Sequence, residues 1–217
     1  SIVMFSHMGI TPEWGNLGAS SVVIFYMISG YVVANLWDRI FKKNKNPFTS
    51  FYIDRALRIF PLFYLCLLVY ILSFSVILNF EIKSSWNTIL LNAMLVPCNY
   101  PQFFDLSINN TRWPIIPVSW SLGLEMQCYL LLPVALKYFK FGLIATALSL
   151  FIFFLSNISI LDKYSFGYYL PLGTFFIFMV GASISRKNMS STYKHFPTII
   201  SLSSIIGIFT IEVGIIQ

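Results

Sequence analysis

The sequence predicts an all-α, polytopic transmembrane bundle with six full spans, a partial first helix before them and a short re-entrant or interfacial helix after the second span. Three observations predict it. Hydrophobic residues make up 57% of the 217-residue chain and charged residues 10%, whereas a soluble domain carries about 25% charged residues. Mean hydropathy is +0.76. The apolar residues also fall in runs approaching the ~20 needed to cross a ~30 Å hydrocarbon core. Together these exclude a soluble enzyme, a disordered chain and a nucleic-acid module, despite a pI near 9.2. Three cysteines cannot all pair, which excludes a disulfide scaffold. Cys66 and Cys128 lie within apolar runs, where a thiol serves as a small hydrophobe. The chain opens without Met and begins and ends inside apolar sequence, so it is expected to be a fragment forming one integral-membrane domain over residues 1–217.

Residues 1–8 have the character of a helix tail. Spans are expected at 18–36, 57–80, 119–136, 141–160, 170–185 and 198–216. The apolar stretch 84–97 is too short to cross and suits an interfacial or re-entrant helix. Residues 98–118 carry three prolines, several Asn and few charges, and suit an ordered loop. No internal repeat or signal-peptide pattern is present.

Basic residues set the orientation. Arg39, Lys42, Lys43, Lys45, Arg55 and Arg58 lie between residues 37 and 58, Lys137 and Lys140 in the next basic turn, and Arg186, Lys187 and Lys194 in the last. If 84–97 does not cross, all three segments fall on one side with 11 of the 14 basic residues; Lys83, Arg112 and Lys163 fall opposite. The three basic segments are therefore expected in the cytoplasm and 81–118 outside. The positive balance reports topology, and no nucleic-acid partner is expected.

An ionisable group inside a span is costly and marks a site by default. His7 closes the first apolar run. Glu125 sits seven residues into the 119–136 span, about 9 Å below the outer surface at 1.5 Å per residue. Ser121, Glu125 and Tyr129 are four apart and share a helical face. His7 and Glu125 can meet at similar depth; equally, Glu125 can be a structural hydrogen-bond partner between helices. Arg55 and Arg58 are three apart at the membrane surface, a spacing that suits a grip on phosphate oxygens or a plain positive-inside anchor. Pro61 follows them, placed to break the helical ladder, and Ser29-Gly30 sits mid-span where small residues let helices approach closely. Glu212 lies near the end of the last span, and His195 beside Lys194 reads as solvated.

Five stretches, taken in order, resemble membrane-bound acyltransferase family three, bacterial multi-pass O-acyltransferases of surface glycans. VMFSH at 3–7 resembles the end of that family's first helix, which closes on a His. FYMISGYVV at 25–33 is similar to its aromatic-rich Ser-Gly helix. FYIDRALRIFP at 51–61 resembles its Arg-x-x-Arg-Ile-x-Pro signature. PVSWSLGLEMQCYLLLP at 117–133 resembles its Trp-Ser-Leu-x-x-Glu-x-x-x-Tyr signature. YLPLGTFFIFMVGASIS at 169–185 resembles its later Phe-x-x-Gly helix. The sequence departs from the pattern in two places. The Arg that the family carries eleven positions before its His would fall before Ser1, and Met126 follows Glu125 where the family often has a second acid. The family has about ten helices, so two or three are expected to be missing.

The resemblance implies transfer of an acyl group, usually acetyl, from acyl-CoA to a hydroxyl of a cell-surface or lipid-linked glycan, at the bacterial cytoplasmic membrane. Acyl-CoA enters as co-substrate, with no tightly bound cofactor and no metal. It implies His7 as general base, since an unperturbed imidazole is mostly neutral at pH 7. Glu125 would orient that imidazole, Arg55 and Arg58 would bind CoA phosphates, and Trp120, Ser121 and Tyr129 would shape the cavity. The partners are acyl-CoA, a glycan acceptor and the lipid bilayer. The rival reading is a transporter or flippase of a lipid-linked sugar, against which stands the absence of an inverted repeat; a non-catalytic scaffold ranks last.

Overall fold

The computed structural model describes residues 17–77, 86–100, 103–104, 115–116 and 118–186. Every regular element among them is helical: α1 (Leu17–Arg39), α2 (Pro47–Ile77), α3 (Trp86–Ala93), α4 (Ser119–Lys137), α5 (Phe139–Asn157) and α6 (Pro171–Arg186). Three-residue and four-residue 3-10 turns at Phe41–Lys43 and Val96–Asn99 and a π turn at Ser165–Tyr169 join them. His7, the partial helix 1–8, the span 198–216, His195 and Glu212 lie outside the described residues.

Among the described residues four segments are long and apolar enough to cross a membrane: Ser21–Lys43, Pro47–Ser73, Phe139–Asn157 and Ser165–Arg186. They match the expected spans at 18–36, 57–80, 141–160 and 170–185. The expected span at 119–136 is present as α4, long enough at 19 residues, but Ser121, Glu125, Gln127 and Tyr129 dilute its apolar character. Two features of the second span differ from expectation. The second span begins at Pro47, ten residues before 57, and it continues through Pro61 as one helix. Pro47 occupies the first helical position, where its missing N–H costs nothing. Thr49, Ser50 and Asp54 lower the hydropathy of the next two turns without breaking the helix. Arg55 and Arg58 therefore lie in its third and fourth turns and not at its start.

The chain forms two compact units, Ser1–Lys45 with Leu131–Gln217, and Asn46–Leu130. In the first, α6 packs against both α1 and α5, and it is buried on nearly all sides from Gly173 to Ser183, as expected of a helix that is apolar all round. The α1–α6 contact is backbone to backbone. A Cβ on Gly30 would lie 1.9 Å from the Phe178 carbonyl oxygen, and one on Gly181 would lie 1.8 Å from that of Met27. The small residue expected to permit close approach at Gly30 thus meets a second on the partner helix, and the Tyr26 and Phe178 rings stack at 4.8 Å beside them. α5 turns Gly142, Thr146, Ser149, Phe153 and Ser156 inward. The Thr146 hydroxyl donates to the Gly142 carbonyl (2.7 Å), and Ser149 Oγ accepts from the Phe176 N–H (3.1 Å). At the end of α6, Arg186 forms a buried ion pair with Asp38 and donates to the Leu136 carbonyl, beside a small recess lined by Ala135, Leu136, Phe139, Gly142 and Met179.

In the second unit α2 buries Phe51, Arg55, Ile59, Phe63 and Leu67 at successive turns, the i, i+4, i+8 stripe of a one-sided helix. Its other side carries Leu57, Leu62, Leu65, Leu68, Val69 and Leu72, all more than half exposed, as a lipid-facing helix requires. α3 and the 3-10 turn at Val96–Asn99 follow, and their reversal rests against Gly123 of α4, whose absent side chain leaves room for the Leu95 carbonyl.

Candidate functional site

The polar stripe of α4 is built from residues one turn apart. Glu125 and Tyr129 are each 5% exposed, and the Tyr129 hydroxyl donates to Glu125 Oε1 in a short hydrogen bond. The i, i+4 spacing that places them on one face also brings hydroxyl and carboxylate into reach. Ser121 shares the spacing but not the contact. It is partly exposed, and its hydroxyl donates to the Val118 carbonyl at 2.9 Å, closing the first turn of its own helix. Trp120 is half-buried in that turn.

Arg55 reaches the same place from α2. It is 4% exposed, and its guanidinium carbon lies 5.8 Å from the Phe51 ring centre and 5.7 Å from that of Tyr129. The two rings meet edge-to-face at 6.2 Å. A cation held against two aromatic rings in a desolvated setting gains about 2 kcal/mol or more. Its formal partner is its sequence neighbour: Nε and Nη2 donate to Asp54 Oδ2 at 3.0 and 2.6 Å. Nη1 is buried and has no hydrogen-bond partner among the described residues. An unmade bond on a buried charged donor is expensive, so this nitrogen stands ready for an acceptor. The Tyr52 hydroxyl donates to the Leu130 carbonyl at 3.0 Å, a further tie between α2 and α4.

Arg55, Tyr129 and Glu125 therefore form one connected group: a cation on a ring whose hydroxyl holds a carboxylate. Arg58 is not part of it. That side chain is exposed, so the two arginines do not form a joint fork; a three-residue offset leaves one on the buried edge of α2 and the other beyond it. The sequence did not single out Asp54 and Phe51. The signal available was the Asp-Arg dipeptide at 54–55 and an aromatic four residues before Arg55. Chemically the group can bind an anionic or carbonyl oxygen at Arg55 Nη1 and hold the Glu125 carboxylate in fixed orientation through the Tyr129 hydroxyl. Among the described residues no three His, Cys, Asp or Glu side chains cluster as metal ligands.

The sequence matches the family described as acyltransferase domain over residues 1–216. It is 42% identical over 81 residues to an uncharacterized protein of Aquifex aeolicus (strain VF5), covering 37% of each chain. It is 27% identical over 113 residues to the exopolysaccharide production protein ExoZ of Rhizobium meliloti (strain 1021), covering 52% of this chain and 32% of that protein. The chain thus spans about a third of the length of these relatives. No solved structure matches.

Proposed function

The chain belongs to membrane-bound acyltransferase family three, and from that premise we propose that the protein moves an acyl group, acetyl foremost, from acyl-CoA to a hydroxyl of a cell-surface or lipid-linked glycan at the bacterial cytoplasmic membrane. The observation that carries this reading is the Arg55–Tyr129–Glu125 group, in which a buried guanidinium, with one nitrogen unpaired among the described residues, lies against the Tyr129 ring whose hydroxyl holds a buried carboxylate. That ExoZ is named for exopolysaccharide production supports a polysaccharide acceptor.

In this reading the acceptor oxygen attacks the thioester carbonyl carbon while His7 takes its proton. The carbon–sulfur bond breaks, the acyl group leaves on the acceptor oxygen, and the CoA sulfur leaves with a proton. Tyr129 fixes the Glu125 carboxylate, which orients the imidazole and stabilises it when charged. Arg55 Nη1 meets an oxygen of the donor, Arg58 meets its phosphates from the exposed side of α2, and Trp120 and Ser121 line the approach.

The test is acyl transfer from radiolabelled acetyl-CoA by the full-length protein. Glu125→Gln and His7→Ala are each expected to abolish transfer, and Arg55→Ala to weaken CoA binding. Full transfer by Glu125→Gln overturns the assignment of the site. Movement of a lipid-linked sugar without CoA release would establish the flippase reading instead.

A further inference from the structure

The segment from Trp86 to Asn99 is built inside out. Along α3 and the turn after it, Trp86, Leu90 and Met94 are 85%, 61% and 57% exposed, whereas Thr88 and Asn92 are 9% and 1% exposed. A helix on the surface of a water-soluble fold does the reverse. The inner side continues with Leu95, Cys98 and Asn99, each fully buried. No residue from 86 to 100 carries a charge.

The polar side chains of this segment are turned inward; Asn92 is bonded there, and the Asn99 amide finds no partner among the described residues. Asn92 Nδ2 donates to the Thr88 carbonyl at 2.9 Å, and Asn92 Oδ1 accepts from the Ile115 N–H at 2.8 Å. The chain reverses at Leu95, a non-glycine residue at φ 65°, and the main chain stays paired through the reversal. Met94 N–H donates to the Leu90 carbonyl, Leu95 to Asn92, Val96 to Met94, Cys98 to Leu95 and Tyr100 to Pro97, all between 2.7 and 3.2 Å. In water a turn can leave such groups to solvent. At membrane depth it cannot, and non-helical backbone is tolerated only where its hydrogen bonds are made within the protein. Eight residues of helix span about 12 Å, well short of the ~30 Å core, so a segment of this length that enters the hydrocarbon must return.

We propose that residues 86–99 form a re-entrant hairpin that dips into one leaflet and turns back at Leu95, with Leu90 and Met94 seated among lipid acyl chains and Trp86 above them at the headgroup level. The occupant of the outer face is the bilayer. The face lacks any charge that would complement a polar partner, and α2 of the same unit presents the same kind of apolar surface to lipid. Trp86 at the start and Tyr100 at the end, its hydroxyl bonded to Gln127 Oε1 at 2.5 Å, mark the headgroup level where amphipathic rings collect. Gly123 holds the buried tip, its missing Cβ making room for the Leu95 carbonyl.

The test is site-directed spin labelling of the full-length protein in phosphatidylcholine–phosphatidylglycerol vesicles, with the exposed Cys66 replaced by Ser and a single label at position 86, 90 or 94. Oxygen is expected to collide with the labels at 90 and 94 several-fold more often than a water-soluble nickel chelate does, with position 86 shallower. Greater access to nickel at 90 and 94 places the face in water and overturns the proposal. Low access to both reagents, with spin–spin broadening between labelled copies, assigns the face to a second copy and overturns it too. A second measurement leaves the fold intact: quenching of tryptophan fluorescence by brominated lipid is expected to fall in Trp86→Phe, and unchanged quenching counts against lipid contact.

Discussion

Arg186 and Asp38, 148 residues apart, form a two-point ion pair: Nε donates to Oδ2 at 2.5 Å and Nη2 to Oδ1 at 2.6 Å. Nη1 donates to the Leu136 carbonyl at 2.9 Å, a carbonyl in the last turn of α4, which the helix itself cannot satisfy. One guanidinium thus ties the ends of α1, α4 and α6.

Removing either partner of that pair leaves a charge in a site where both side chains are 8% exposed. Arg186→Met alone or Asp38→Leu alone is expected to cost about 3–5 kcal/mol, and the two together much less, because paired apolar replacements avoid the stranded charge. Unfolding of the four proteins in detergent, analysed as a double-mutant cycle, checks this; additive losses would contradict it.

Tyr129→Phe deletes the hydroxyl that serves Glu125 and keeps the ring beneath Arg55. A hydrogen bond to a charged group contributes about 1.5–3 kcal/mol, so acyl transfer is expected to fall by at least about tenfold with CoA affinity unchanged. Tyr129→Leu removes the ring as well and is expected to weaken both. Kinetics of the two variants beside wild type separate the effects.

The glycines give a graded series. A Cβ at Gly30 or Gly181 would fall within 2 Å of a carbonyl oxygen on the facing helix, and at Gly123 it would lie 2.8 Å from the Leu95 carbonyl. Overpacking costs about 1–3 kcal/mol and sometimes more. Gly30→Ala and Gly181→Ala are expected at or above that range and Gly123→Ala toward its lower end, with detergent-unfolding midpoints in that order.

Asp162 Oδ2 accepts the Ser165 N–H at 2.6 Å at the start of the π turn. This bond holds the Asp162 carboxyl below its usual value, so its contribution is full above the ordinary carboxylate range and is lost as pH falls through the lowered value. Asp162→Ala is expected to cost about 1 kcal/mol, as loss of a helix cap does, and to remove this part of the acid sensitivity. Hydrogen exchange of the 163–169 amides against pH reads both effects.

Local spacing carried much of what the structure contains. The apolar runs located α1, α5 and α6 to within three residues at each end, and the i, i+4 rule found Glu125 and Tyr129. It failed where a face had to be divided: Arg55 and Arg58 share a side by spacing, yet only Arg55 reaches the aromatic pair. The start of α2 was hidden because Thr49, Ser50, Asp54 and Arg55 interrupt the apolar run of residues 47–56, while Phe51 and Arg55 are buried. The Asp38–Arg186 pair had no sequence signature at all, since its partners sit at the ends of different spans and meet only through the packing of α1 on α6.

The notches at Gly30 and Gly181 act in opposite directions, each helix receiving the main chain of the other. A ratchet of one turn along the pair would set a side chain where Phe178 or Met27 now passes, and a roll would do the same. α1 and α6 therefore behave as a single beam, sliding and rolling as one body.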